Sequence, residues 1–79
     1  MMAAFVLIQM ASAPWADAST LHSALHAVAG VKTVHFLAGP TDIIAFVEAA
    51  DYKALIDSVA KIRAVKGVAS TDTRIVVPV

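Results

Sequence analysis

Apolar residues run unbroken through Ile43-Ile-Ala-Phe-Val47. A strand with one face in water alternates apolar and polar side chains, so this stretch predicts a strand covered on both faces. Ala4-Phe-Val-Leu-Ile-Gln-Met10 is a second β-rich run, closed by Ser12, Ala13 and Pro14. Between the two the period changes. From Trp15 to Val28 the larger apolar residues stand at Trp15, Leu21, Leu25 and Val28, a helical spacing with Pro14 suited to its first turn and Gly30 to its stop. Val31 to Leu37 alternates imperfectly and predicts a half-exposed edge strand. Gly39-Pro-Thr41 then turns the chain, within hairpin distance, into the dry run.

Asp51 is placed to cap a second helix, its carboxylate accepting from the free amides of the first turn. That helix should bury Leu55, Val59 and Ile62, show Lys53, Asp57 and Lys61 to water, and stop at Gly67, leaving Val68 to Val77 as the last strand. The order is β-α-β twice over. Both helix exits read alike, Ala27-Val-Ala-Gly-Val31 and Ala64-Val-Lys-Gly-Val68. Together these elements predict an α+β, ferredoxin-like βαββαβ domain: a four-stranded antiparallel sheet with two helices on one face. Phe5, Val6, Leu7, Ile8, Ile43, Ile44, Phe46 and Val47 must then divide between the two faces, so the helix-free face carries large apolar residues. At about 25 cal/mol per Å2 of apolar area, covering several of them outweighs the entropy of association, and a sheet-to-sheet homodimer is expected.

Composition sharpens this. Seventy-nine residues make a single domain, 1–79, near the size where one core is only marginally sufficient. There is no cysteine to add disulfides or thiolate metal sites. Apolar residues are 59% and charged ones 15%, against about 45–50% and about 25% in ordinary soluble chains, so oligomerisation is the supplement left. The apolar runs are interrupted long before they could span a membrane. Six Lys and Arg balance six Asp and Glu, which provides no broad field for direct nucleic acid binding. No charged-apolar-small leader is visible, and a cytoplasmic location is expected.

The chain resembles the effector-binding domain of the leucine-responsive and asparagine regulators, the Lrp/AsnC family. The likeness is carried by Ala4-Phe-Val-Leu-Ile8, Val28-Ala-Gly-Val-Lys-Thr-Val34, Gly39-Pro-Thr-Asp-Ile-Ile-Ala45, Val47-Glu48, Asp51 with Leu55, Val65-Lys-Gly-Val68 and Ser70-Thr-Asp-Thr-Arg-Ile-Val-Val77. No single piece is specific; the ordered set is. Family members usually carry a helix-turn-helix reader ahead of this domain, whereas this sequence starts at the first strand. The resemblance therefore implies a stand-alone version whose dimers associate into higher even-numbered oligomers, with an amino acid or related small metabolite bound at the seams.

An amino acid needs donors for its carboxylate and an acceptor for its ammonium. In the Gly39, Pro40, Thr41, Asp42 turn, glycine permits close backbone approach, Thr41 supplies an amide and a hydroxyl, and Asp42 is an acceptor. Thr71 and Thr73, two apart on a strand, add hydroxyls on one face. The family's pocket draws on a matching turn and last strand, so the resemblance implies that these six residues form the ligand site. Each also has an ordinary reading, as a tight turn and as strand formers. Pro40 and Ile43 stand where many relatives carry a charged and an aromatic residue, which leaves the ligand's side chain open.

His22 and His26 have a spacing that can hold zinc on one helical face, but no third ligand accompanies them, so a solvated helix flank is the reading adopted, with no metal and no cofactor. No nucleophile elbow, phosphate loop or aromatic-lysine RNA-binding strand is present. The expected function is a non-enzymatic sensing and oligomerisation module of a transcription-regulatory system, lacking its own DNA reader, which could co-assemble with a full-length family member. The alternative is a small dimeric α+β barrel enzyme of the cofactor-free monooxygenase type, with His22, His26 and Trp15 converging in an enclosed pocket. An ACT-type domain, pairing sheets edge to edge, is a third.

Overall fold

The computed structural model describes residues 1–11 and 18–79. Its elements follow the expected order: β1 Met2–Met10, α1 Ala18–His26, β2 Val31–Phe36, β3 Ile43–Ala49, α2 Tyr52–Arg63 and β4 Val68–Ile75. All strand pairs are antiparallel, in the order β2-β3-β1-β4. The expected start of the first helix, Trp15 to Asp17, lies outside the described residues. Other ends move by one to four residues. The second helix stops at Arg63, capped by Ala64 ahead of Gly67, and β4 ends at Ile75 although the Val76 amide still donates to Ala3 O at 2.8 Å.

Register fixes which side chains share a face. Ala4, Val6 and Ile8 of β1 stand opposite Val47, Ala45 and Ile43 of β3, and all six are fully buried beneath the helices. Leu21 and Leu25 of α1 and Leu55, Val59 and Ile62 of α2 complete this core, as their helical spacing requires. The intervening residues, Phe5 and Leu7 opposite Phe46 and Ile44, face away from the helices. The dry run of β3 is thus fully covered on one side by this chain's own helices and half-covered on the other. Asp51 caps α2 as expected, Oδ1 accepting from the Ala54 amide at 2.8 Å.

The alternation expected along β2 is corrected by a bulge. Val31 pairs with Val47 and Thr33 with Phe46, so an extra residue sits between them and the phase shifts. Val31 and Val34 are buried and Phe36 half-buried on the helix side, while Thr33 and His35 point the other way. The same irregularity recurs in β4, where Val68 pairs with Met10 and Ser70 with Gln9.

The two halves of the chain repeat in detail. At the α1 exit, Ala27 N donates to Ser23 O at 3.0 Å, Val28 N to Leu25 O at 3.1 Å and Val31 N to Val28 O at 3.1 Å. At the α2 exit the partners are Ala64 to Ala60, Val65 to Ile62 and Val68 to Val65, each at 3.1 Å. Gly30 and Gly67 follow, both at positive φ, 95° and 104°, where a Cβ is disfavoured. Each glycine carbonyl then accepts from the central strand of the opposite half, Glu48 N to Gly30 O at 2.9 Å and Ala11 N to Gly67 O at 2.8 Å.

Candidate functional site

The turn between β2 and β3 lies at the end of the sheet where β1 finishes. Gln9 Nε2 donates to Pro40 O at 2.7 Å, and Asp42 Oδ2 accepts from the Met10 amide at 2.9 Å. Leu37 N closes the hairpin onto Asp42 O at 2.7 Å. Asp42 is thus a structural acceptor through one oxygen, with the other not engaged by any described residue. Gly39, at φ 143°, has nothing within 4 Å of the place a Cβ would occupy, and Pro40 is exposed, so this corner is open to an incoming molecule. Thr41 is half-buried beside it.

Thr71 stands opposite Ile8 and Thr73 opposite Val6, which puts both on the helix-covered face of edge strand β4. Both are half-buried, and neither hydroxyl has a hydrogen-bond partner among the described residues. Their counterparts in the first half are Val34 and Phe36, core-facing residues of the other edge strand. Where the first half seals its edge with hydrocarbon, the second presents two hydroxyls. Only the edge position makes this tolerable, because water can reach groups that a closed core would leave unsatisfied.

Turn and threonines do not meet within one chain. Thr71 is at the same end of the sheet as Asp42, but β1 lies between β3 and β4, two strand spacings or about 10 Å across. Thr73 is a further residue pair away. The Asp42 carboxylate narrows that gap by reaching the Met10 amide of β1, so turn and threonines flank the two sides of this strand. Gln9 was missed by the sequence reading, and its signal was its place as the lone polar residue in the apolar run Ala4 to Met10.

The other candidates lie apart. His22 and His26 are exposed on the outer flank of α1, beside a surface depression they line with Ser23 and Ala27, not in an enclosed cavity. Trp15 is outside the described residues. Among the described residues no group of three or more His, Cys, Asp or Glu is arranged to hold a metal, and no helix is long and apolar enough to cross a membrane.

On the helix-free face two cross-strand rows run from edge to edge: His35, Ile44, Leu7, Asp72 and Thr33, Phe46, Phe5, Arg74. Their centres are apolar and their ends polar. Phe5 and Phe46 pack with ring centres 5.0 Å apart, yet Phe5 remains 41% exposed. Asp72 and Arg74 form an exposed ion pair at 2.8 Å, which holds the Asp72 carboxyl below and the Arg74 guanidinium above their ordinary ranges, chiefly through the hydrogen bond between them.

Residues 3–78 match the Lrp/AsnC ligand binding domain. The chain belongs to this family. Solved structures agree with the assignment. TTHA0845 from Thermus thermophilus is 30% identical, with a TM-score of 0.84 over 100% of this chain and 96% of that one. FFRP-DM1 is 28% identical, with a TM-score of 0.84 over 98% and 100% of the two chains. E. coli AsnC, at 24% identity and a TM-score of 0.84, shares the fold; this Lrp/AsnC domain covers 51% of its length. No curated protein matches the chain.

Proposed function

We propose that this Lrp/AsnC domain is a non-enzymatic sensing module, which binds an amino acid or similar metabolite where two copies meet and reports it through assembly state. The observation that carries the reading is the pair of half-buried hydroxyls at Thr71 and Thr73, without a hydrogen-bond partner among the described residues, where the repeat would place Val34 and Phe36. They are donors awaiting an acceptor, and Asp42 keeps one oxygen for an ammonium. Because β1 separates these two groups, a ligand would use the turn of one copy and the threonines of another. A ligand that needs two copies favours the associated state by its differential affinity.

Homodimerisation is proposed through the helix-free face. Phe5, Leu7, Ile44 and Phe46 form a continuous apolar centre rimmed by Thr33, His35, Asp72 and Arg74, the anatomy of an interface with a dry core and polar rim. Balanced charge supports output through protein assembly instead of direct contact with nucleic acid, including co-assembly with a full-length family member. The exposed placement of His22 and His26 favours the sensing reading over a monooxygenase in which these two histidines would line an enclosed pocket.

The test is a thermal-shift screen of the twenty amino acids together with light scattering. At least a dimer is expected, and one or a few amino acids should raise Tm by mass action. Thr71→Val and Asp42→Asn should each weaken that response tenfold or more while leaving the unliganded protein folded, since asparagine keeps an acceptor for the Met10 amide. A monomer, or a ligand response that survives both substitutions, would overturn the proposal.

A further inference from the structure

The flank of α1 carries a second arrangement that the ligand site does not use. His22 and His26 stand one helical turn apart with ring centres 5.9 Å from each other and planes inclined by 21°. Both are exposed, so an ion could reach them. The His22 ring is also held from behind. It stacks on Phe36, centres 6.1 Å apart, and its Nε2 lies 3.2 Å from the Val34 carbonyl of β2. A carbonyl can only accept, so this contact places the ring proton on Nε2 and leaves the lone pair on Nδ1. An imidazole whose other nitrogen donates to a backbone carbonyl is the usual support behind a metal-binding histidine.

We propose that His22 and His26 form a two-imidazole seat for a late first-row divalent cation of the Zn2+, Ni2+ or Cu2+ type. Two imidazoles bound to one such ion at about 2.0–2.1 Å must aim their in-plane lone pairs at one point, so the His26 ring, stacked near-parallel to His22 in the free chain, turns out of that stack when the ion binds. Among the described residues no third side chain completes the set, and water fills the remaining positions. Affinity is therefore modest, and the ion exchanges readily. Its effect on the chain is to clip one turn of α1, a nine-residue helix too short to be stable without its packing.

The experiment is calorimetric titration of untagged protein with ZnCl2 or NiCl2 at neutral pH. Saturable uptake of one ion per chain is expected, with a dissociation constant below about 1 mM, and a Tm that rises with ion concentration. His22→Gln and His26→Gln should each weaken uptake at least about tenfold, with circular dichroism unchanged, while His35→Gln should leave it intact. Paramagnetic Ni2+ should broaden the ring protons of His22 and His26 before those of His35. Uptake that is unsaturable below about 1 mM, that survives the double substitution, or that falls equally in His35→Gln would overturn the proposal. No amino acid is present, so neither result bears on the sensing site.

Discussion

The β1-α1-β2 half and the β3-α2-β4 half share one plan and differ in how they close their edges. Both leave the helix by the same hydrogen bonds, turn through a glycine at positive φ and enter the edge strand with a bulge. The contacts around the two glycines are exchanged between halves. A Cβ on Gly30 would come within 2.9 Å of Ser58 Oγ on α2 and of Glu48 O, whereas one on Gly67 would meet the Leu21 methyls of α1 at 3.6 and 3.8 Å. Ser58 and Leu21 occupy corresponding helix positions. A serine lets α2 approach the first half closely and donate to Ala29 O at 2.7 Å; a leucine holds α1 off the second half. The first half is therefore in close contact at Gly30 and apolar at its edge, and the second is packed at ordinary distance and polar where Thr71 and Thr73 stand. The two halves share one frame, and the second departs from it at the threonines of the proposed ligand site.

The largest expected effect breaks this comparison at its tightest point. Gly30→Ala carries a backbone penalty of about 1–2 kcal/mol for a Cβ at positive φ, to which overpacking adds about 1–3 kcal/mol because Glu48 O is backbone and cannot swing away. Gly67→Ala carries the backbone penalty alone, since its contacts would be ordinary. Urea unfolding should rank Gly30→Ala below Gly67→Ala by at least about 1 kcal/mol. Equal losses would show that the closeness at Gly30 has no energetic consequence.

Ser58→Ala comes next. Ser58 is buried, and its removal leaves the Ala29 carbonyl without that donor, at a cost of about 1–2 kcal/mol for a lost buried hydrogen bond. Denaturant midpoints should fall with the slope unchanged. A variant as stable as the parent would mean that water replaces the hydroxyl, and the lock between halves would reduce to the close approach at Gly30.

Much of this was legible in the sequence and some was not, for identifiable reasons. The element order, the Asp51 cap and the kinship of the two helix exits follow from local rules, each readable within a few residues. The partition of Phe5, Leu7, Ile44 and Phe46 from Val6, Ile8, Ile43 and Val47 required register, because in an unbroken apolar run either set could face the helices. The bulges were invisible: β2 is the half-exposed edge strand its imperfect alternation suggested, but nothing in Val31-Lys-Thr33 announces the extra residue that makes it imperfect. At the site, residue types pointed to Asp42, Thr71 and Thr73, but Asp42's bond to the Met10 amide and the strand between turn and threonines are long-range facts that no local pattern carries.

The smallest effect concerns the helix-free side of the two edge strands, at the rim of the proposed interface. His35 on β2 and Asp72 on β4 hold corresponding positions, but the residue two further on is Leu37 in one half and Arg74 in the other, so among the described residues only the second edge forms an ion pair. The pair is exposed, so the gain is screened and slight. Its sign is nonetheless fixed. The Asp72 carboxyl is held below its ordinary range in the folded chain, so its contribution is fully present above the unfolded value and fades as pH falls through the folded one. Asp72→Asn should lower Tm slightly at neutral pH and converge on the parent in acid. If the two curves instead separate further as the solution is acidified, the pair is not what distinguishes the second edge, and the asymmetry between halves would rest on the core-facing threonines alone.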